Sequence, residues 1–148
     1  MVSGHTLRWG VVGTGYIAGL MAPRIIEADA ADLVAVASRE METAKAFAAE
    51  HGIPVTFDSW EELIASDVID AVYITAPTSL REGIAVAAAG QGKHVLVEKP
   101  FFNLASLKRI VAACRENGVG FMDCTHFPHL PRTKMVREDM SEMVGRPW

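Results

Sequence analysis

The chain has 148 residues, of which 50% are hydrophobic and 22% are charged, and its formal net charge at pH 7 is −4. This composition is typical of a soluble globular protein, and the weak negative charge gives no reason to expect nucleic acid or an anionic membrane as partner. No apolar run approaches the ~20 residues of a membrane span, and the N-terminus lacks the pattern of a signal peptide, so we expect a cytoplasmic protein.

Short runs of apolar and β-branched residues, each bounded by turn residues, predict six strands. In chain order they are Leu7–Val12, Leu33–Ala37, Val55–Phe57, Ala71–Thr75, His94–Val97 and Val119–Met122. Nearly all lack polar alternation, as expected of parallel strands that are covered on both faces. Alanine-rich segments with helical spacing lie between them. The sequence therefore predicts an α/β fold with a doubly wound parallel sheet of about six strands.

Local signals mark the ends of several predicted helices. Ser59 with Glu62, and Ser79 with Glu82, have the spacing of capping boxes. Pro23 lies inside the first predicted helix, where a proline costs about 3 kcal/mol, so we expect a kink or a restart there.

The two cysteines, Cys114 and Cys124, fall on a predicted helix and on the strand that follows it. A disulfide between them is possible, but free thiols in a reducing cytoplasm are the better interpretation. Neither a CxxC spacing nor a Cys/His metal spacing occurs, so we predict no metal site.

The first predicted strand runs into the segment GTGYIA, a G-x-G-x-x-A pattern at residues 13–18. Its first glycine permits a tight turn, its second lets the backbone approach a pyrophosphate, and its alanine allows close packing of helix on strand. The helix that follows offers free N–H groups and a positive dipole end to phosphates. Glycines in any strand–helix turn can mimic the pattern, but here it stands in the βαβ context that it requires. We predict that a dinucleotide is bound by Gly13, Thr14, Gly15, Tyr16 and Ile17.

The second predicted strand ends in Ala37-Ser38-Arg39. Folds that prefer NAD usually carry an acid at this point to bind the ribose 2′-OH. A hydroxyl and a guanidinium suit a 2′-phosphate better, so Ser38 and Arg39 favour NADP, with NAD as the alternative. The competing interpretation is that Ser38 caps the next helix and that Arg39 is only solvated.

The segments GTGYIA, VASRE, APTSLREGI and GKHVLVEKP occur in this order, and together they resemble the Gfo/Idh/MocA oxidoreductases over about residues 7–147. The resemblance implies an N-terminal Rossmann domain and a C-terminal domain that carries much of the substrate site and the dimer contact. We accordingly assign residues 1–124 to an NAD(P)-binding Rossmann domain. Residues 125–148 are expected to be a linker and helix that lead into a C-terminal domain which this chain lacks.

The EKP end of the last segment is the most informative part of the resemblance. Lys99 follows the fifth strand, and ligands of open α/β sheets bind beyond the carboxyl ends of the strands. The family implies that Lys99 lies beside the nicotinamide and the substrate, where an ammonium group can hydrogen-bond a hydroxyl and stabilise negative charge on oxygen. It further implies that Glu98 tunes or positions the cofactor end of the site and that a cis peptide bond precedes Pro100. Ala76 and Pro77 are expected to contact the cofactor.

Two departures from the family pattern bear on catalysis. The usual P-N-x-x-H is replaced by PTSLR, so that Arg81, which cannot act as a base at neutral pH, stands where the histidine is expected. The family's D-x-x-x-H stretch is also absent. His126 and His129 follow the sixth strand and are candidate proton donors, although a structural role is the favoured interpretation for both.

The sequence therefore predicts an NAD(P)-dependent oxidoreductase domain. It would transfer hydride between the nicotinamide and a sugar, polyol or related hydroxyl/carbonyl compound. The alternative is a non-catalytic NADP(H)-binding module, or a truncated fragment that self-associates, and the sequence does not decide whether this chain alone is active. The expected partners are the dinucleotide, a sugar-like substrate if the chain is catalytic, and a second copy of the chain.

Overall fold

The computed structural model describes residues 6–125 together with Pro131, Thr133 and Met135. In that part of the chain, strands and helices alternate. The strands are β1 (Leu7–Val12), β2 (Ala31–Ala37), β3 (Val55–Phe57), β4 (Ala71–Ile74), β5 (His94–Val97) and β6 (Phe121–Asp123). The helices are α1 (Tyr16–Ile26), α2 (Met41–His51), α3 (Trp60–Ala65), α4 (Thr78–Gly90) and α5 (Leu104–Glu116).

The strands form one parallel sheet with the order β3-β2-β1-β4-β5-β6, which confirms the predicted doubly wound fold. The chain moves outward from β1 through β2 and β3, and then returns to the other side of β1 for β4, β5 and β6. The direction of winding thus reverses between β1 and β4. Open α/β sheets bind ligands at such a point, beyond the carboxyl ends of the strands.

Helices cover both faces of the sheet. Helices α3, α4 and α5 pack on one face, where Ile84 and Ile110 are fully buried, and α1 and α2 pack on the other face through Ala18 and Phe47. Successive strand residues point to opposite faces. Tyr73 of β4 consequently belongs to the α1/α2 face, while its neighbours along the strand belong to the other. This double cover explains why the strands lack polar alternation.

Strands β1, β3 and β5 have the predicted bounds, and β4 ends one residue before the predicted Thr75. The starts of β2 and β6 each differ from the prediction by two residues, and β6 ends one residue later, at Asp123. Strand β2 begins before the predicted Leu33, because Ala31 and Asp32 already pair with the first residues of β1. Strand β6 begins after the predicted start, at Phe121, where its pairing with Val95 of β5 begins.

One predicted helix cap is confirmed and one is wrong. The hydroxyl of Ser59 accepts a 3.1 Å hydrogen bond from the N–H of Glu62 and caps α3. The second capping box, at Ser79, does not form, because α4 begins at Thr78, two residues before the start that a Ser79 cap would give, and its N-cap residue is Pro77. The N–H of Leu80 bonds to the Pro77 carbonyl, which leaves Ser79 inside the first turn.

Helix α1 continues through Pro23 to Ile26, so the restart expected at this proline does not occur. The Pro23 carbonyl still accepts a 2.9 Å hydrogen bond from the N–H of Glu27. Both cysteines are buried free thiols, as predicted. No helix in the described part of the chain is long and apolar enough to span a bilayer.

Candidate functional site

A cleft of about 640 Å³ lies at the carboxyl ends of β1, β2, β3 and β4. Its walls are the segments that follow these strands, together with α4: residues 12–15, 37–39, 58–61 and 75–77, with Leu80 and Ile84. The cleft occupies the point where the winding of the sheet reverses. Its volume is in the range of ~300–1,000 Å³ that is typical of small-molecule and cofactor sites.

The first glycine of the loop is required by the fold. Gly13 has φ +104°, a conformation that L-residues rarely adopt, and a Cβ at this position would lie 2.5 Å from Thr75 Oγ1. The Thr75 hydroxyl in turn donates a 2.9 Å hydrogen bond to the carbonyl of Val12. Gly13 therefore lets β1 end in a sharp turn directly against the end of β4.

The second glycine of the loop is not required by the fold. Gly15 has φ −77°, which any residue can adopt, and a Cβ placed there would meet nothing within 4 Å. The missing side chain instead leaves backbone accessible at the cleft. This is the property that close approach of a phosphate group demands.

Helix α1 starts at this loop with unsatisfied donors. Gly15 is its N-cap, no side chain caps it, and the first helical hydrogen bond runs from the N–H of Gly19 to the Gly15 carbonyl. The N–H groups of Tyr16, Ile17 and Ala18 have no acceptor among the described residues and can bind an anion, which the helix dipole favours. Tyr16 is 84% exposed at the rim of the cleft, whereas Ala18 is fully buried against the sheet, as the G-x-G-x-x-A pattern predicts.

Ser38 and Arg39 line the cleft at the end of β2. The N–H of Ser38 bonds to the Phe57 carbonyl, which joins the ends of β2 and β3. The competing interpretation for Ser38, a cap on α2, is not supported, since Glu40 is the N-cap of that helix and no side chain caps it. The Arg39 side chain is exposed.

Sequence reasoning missed the wall formed by residues 58–61. Asp58, Trp60 and Glu61 follow β3 and line the cleft beside Arg39. No motif marks them, but the fold predicts their place, because the carboxyl ends of parallel strands meet at one edge of the sheet. Two acidic side chains thus share this part of the cleft with one arginine.

The EKP turn lies at the end of β5. Glu98 is 4% exposed, and its carboxylate accepts a 2.6 Å hydrogen bond from the hydroxyl of Tyr73 on the α1/α2 face. Lys99 is exposed. The peptide bond between Lys99 and Pro100 is cis, as the family resemblance implies.

Burial governs the titration of the groups around Glu98. Desolvation, and then the hydrogen bond to Glu98, raise the pKa of Tyr73 well above its ordinary value. Burial, and then the charge of Glu98, raise the pKa of the Cys124 thiol to about 12. Both groups are therefore protonated at neutral pH, and the phenol keeps its proton while it donates the hydrogen bond to the Glu98 carboxylate.

The structure brings most of the predicted cofactor residues together. The cleft is lined by Gly13, Thr14, Gly15, Ser38, Arg39, Ala76 and Pro77. Tyr16 and Ile17 form the start of α1 beside it. Glu98 and Lys99 lie farther along the sheet and are outside the cleft lining. His126 and His129 lie outside the described residues.

Residues 7–123 match the family model GFO_IDH_MocA, described as an oxidoreductase family with an NAD-binding Rossmann fold. A scyllo-inositol 2-dehydrogenase (NADP(+)) of Bacillus subtilis is 34% identical over 138 residues, which make up 93% of this chain and 42% of that protein. A 1,5-anhydro-D-fructose reductase of Ensifer adhaerens is 34% identical over 142 residues, 95% of this chain and 43% of that protein. The chain therefore spans less than half the length of these relatives.

Solved structures match a similar share of the chain. The 3-ketoreductase KijD10 of Actinomadura kijaniata, in complex with NADP and TDP-benzene, has a TM-score of 0.86 at 31% identity, covering 93% of this chain and 43% of its own. A scyllo-inositol dehydrogenase of Lactobacillus casei, with bound NAD(H) and scyllo-inositol, has a TM-score of 0.84. The second match, at 21% identity over 94% of this chain and 42% of its own, shows a shared fold alone.

Proposed function

Because the chain belongs to the Gfo/Idh/MocA oxidoreductase family with an NAD-binding Rossmann fold, we propose that it binds NADP(H) in the cleft at the carboxyl ends of β1 to β4. We further propose that it serves hydride transfer to or from a sugar, polyol or related hydroxyl/carbonyl compound. The relatives named above act, by their names, on an inositol and on an anhydro-sugar.

The cofactor proposal rests mainly on the glycine at position 15. The fold does not need a glycine there, but a phosphate that approaches the backbone does. The pyrophosphate would lie on the loop 13–17, where the free N–H groups of α1 and its dipole favour negative charge. Ala76 and Pro77, across the cleft at the end of β4, would contact the cofactor on the far side of the loop.

NADP is the proposed form of the cofactor, with NAD as the alternative. A 2′-phosphate would lie between the hydroxyl of Ser38 and the guanidinium of Arg39, which can hold it with charge-assisted hydrogen bonds. The B. subtilis relative is named for NADP(+), and the KijD10 structure contains NADP. The carboxylates of Asp58 and Glu61 line the same part of the cleft and repel a phosphate. The preference for NADP over NAD is therefore to be measured as the ratio of the affinities for NADPH and NADH.

Lys99 is the proposed catalytic residue. A bound nicotinamide supplies or accepts the hydride. The ammonium group of Lys99, beyond the end of β5, would donate a hydrogen bond to the reacting substrate oxygen and stabilise negative charge on it. His126 and His129 stay candidates for the proton donor.

Self-association and a cytoplasmic location also stay predictions from the sequence.

Fluorescence titration with NADPH tests the cofactor proposal through Gly15→Val. A Cβ at this position would meet nothing within 4 Å, so the fold should persist while the affinity for NADPH and NADH falls below detection. Gly90→Val is the matched control, because a Cβ at Gly90 also meets nothing within 4 Å and this residue ends α4 away from the cleft. Retained affinity in Gly15→Val would mean that the loop is only a turn.

A turnover assay distinguishes an active oxidoreductase from a non-catalytic binding module. The protein is mixed with NADPH and aldoses or dicarbonyl compounds, which can accept a hydride, and separately with NADP+ and inositols, which can donate one. The redox state of the cofactor is followed by absorbance, and a change that depends on one of these compounds supports the oxidoreductase proposal. Tight binding of the cofactor without any such change supports a non-catalytic binding module.

A further inference from the structure

Arg81 connects the cofactor cleft to the EKP turn. It lies in the first turns of α4 and is half-buried. Its Nε donates a 2.7 Å hydrogen bond to the carbonyl of Ala76, which lines the cleft. Its Nη1 donates to the carbonyls of Glu98 and Pro100, at 2.8 and 3.0 Å. One planar guanidinium therefore spans the end of β4 and the turn after β5.

The two carbonyls bound by Nη1 stand on either side of Lys99. Since one nitrogen atom bonds to both, their separation is fixed, and so is the course of the backbone between them. Glu98 is also held from the opposite face of the sheet by the hydroxyl of Tyr73. The exposed side chain of Lys99 thus starts from a backbone that is held on both sides.

The chemistry of arginine suits this task. A guanidinium presents five donors in a rigid plane and is charged at every physiological pH, so it can serve three carbonyl oxygens at once. A neutral histidine offers one ring donor, and a lysine offers a point charge on a flexible stem. The three hydrogen bonds of Arg81 therefore use donors that neither a histidine nor a lysine would present in this arrangement.

We propose that Arg81 is a positioning residue for Lys99. By binding the carbonyls of Glu98 and Pro100, it directs the ammonium group of Lys99 toward the nicotinamide end of the cleft. Its bond to the Ala76 carbonyl ties that turn to the end of β4. The inference rests on the proposed function, in which Lys99 acts beside the nicotinamide.

Lysine labelling tests this inference without requiring turnover. The protein is treated briefly with an amine-acylating reagent, with and without saturating NADPH, and acylation of each lysine is quantified by peptide mass spectrometry. In the wild-type protein, NADPH should protect Lys99, while the internal references Lys45 and Lys108 should react equally in both samples. In Arg81→Ala, Lys99 should lose most of its protection, whereas NADPH affinity should stay nearly unchanged because Arg81 does not line the cleft.

Two further variants keep the test decisive. Arg81→Gln retains one donor group and replaces Arg81→Ala if that variant does not fold. Arg109→Ala is the matched control, since Arg109 of α5 also binds α4, but through the Glu82 carboxylate and not through the backbone around Lys99. In Arg109→Ala, NADPH should protect Lys99 from acylation as it does in the wild-type protein.

The outcomes separate the inference from the function on which it rests. Full protection of Lys99 in a folded Arg81 variant overturns the inference. Absence of protection in the wild-type protein, although NADPH binds, also overturns it and removes Lys99 from the site while leaving cofactor binding in place. Failure of the wild-type protein to bind NADPH or NADH overturns the proposed function itself. If a substrate is turned over, Arg81→Ala should lower kcat about tenfold or more with little change in the KM for NADPH, as expected for a misplaced catalytic group.

Discussion

The hydroxyl of Tyr73 donates a 2.6 Å hydrogen bond to the carboxylate of Glu98 beneath the EKP turn, and the two side chains are 0% and 4% exposed. A carboxylate withdrawn from water requires such donors, because its desolvation is otherwise costly. The bond also crosses from β4 to the end of β5. It therefore stabilises the fold and the position of the turn together.

Tyr73→Phe should lower the free energy of unfolding at pH 7 by about 1–3 kcal/mol, the cost of leaving a buried polar group without its partner. Chemical denaturation followed by circular dichroism measures this loss. Tyr16→Phe is the control, because the side chain of Tyr16 is 84% exposed and should lose its hydroxyl without effect. Equal stability of the two variants would show that the bond to Glu98 contributes nothing.

Arg39→Ala should weaken NADPH binding by about 1.5–3 kcal/mol, the range for a hydrogen bond to a charged group, and leave NADH binding nearly unchanged. The physical reason is that only NADPH carries the 2′-phosphate. Titrations at one fixed ionic strength measure both affinities. Arg24→Ala removes an exposed arginine at the far end of α1 and should change neither. Equal losses for the two cofactors would contradict the assignment of Arg39.

Asp58→Asn tests the charge balance in the same part of the cleft. Removing a carboxylate that shares the cleft with Arg39 should strengthen NADPH binding by up to about 1 kcal/mol, and this gain should shrink as salt is added. Asp32→Asn, at the start of β2 away from the cleft, is the control. If Asp58→Asn instead weakens NADH and leaves NADPH unaffected, Asp58 binds a ribose hydroxyl and the protein is adapted to NAD.

Asp70 makes the stability of the fold depend on pH in the acid range. Its carboxylate accepts hydrogen bonds from the Arg8 side chain at 2.7 and 3.0 Å and from the Arg8 N–H at 3.0 Å. The hydrogen bond from the Arg8 side chain is the main cause that lowers the Asp70 pKa from 3.8 to about 2. The folded state thus favours the charged carboxylate, and its contribution is complete above the unfolded value and lost as pH falls from 3.8 to about 2.

Asp70→Asn should therefore lower the free energy of unfolding at pH 7 by about 1 kcal/mol or less, because both side chains are partly exposed to solvent. The difference from wild type should shrink below pH 3.8 and vanish as pH falls through about 2, which urea denaturation across the pH range measures. Asp29→Asn, at an exposed position before β2, is the control and should show no such trend. A constant difference at every pH would assign the loss to packing and not to the ion pair.

The sequence predicted the parts of the fold that depend on local pattern. Apolar runs located every strand because both faces of the sheet are covered, and GTGYIA located the glycine turn because the positive φ of Gly13 demands that residue type. Other features depend on contacts distant in sequence. The wall around Trp60 carries no binding motif, only the helix cap at Ser59, and the Ser79 cap did not form because the Pro77 carbonyl accepts the first hydrogen bond of α4.

Arg81 is the clearest example of what the sequence does not contain. By residue type it is only a departure from a family histidine that cannot act as a base. Its role depends on hydrogen bonds to three carbonyls, two of which belong to residues 17 and 19 positions away along the chain. The inward direction of Glu98 is likewise set by the pleat of β5, which turns the residue after the buried Val97 to the opposite face of the sheet.

The central place of β1 has a consequence for how the chain is made. Strand β1 is synthesised before the other five described strands, and β2 can pair with one of its edges early. The other edge has to wait for β4, and the contact between Arg8 and Asp70 spans 62 positions. Until then that edge presents open hydrogen-bonding groups, the condition in which strands of nascent chains aggregate. The emergence of Ala71–Ile74 from the ribosome is therefore the step that closes the middle of the sheet.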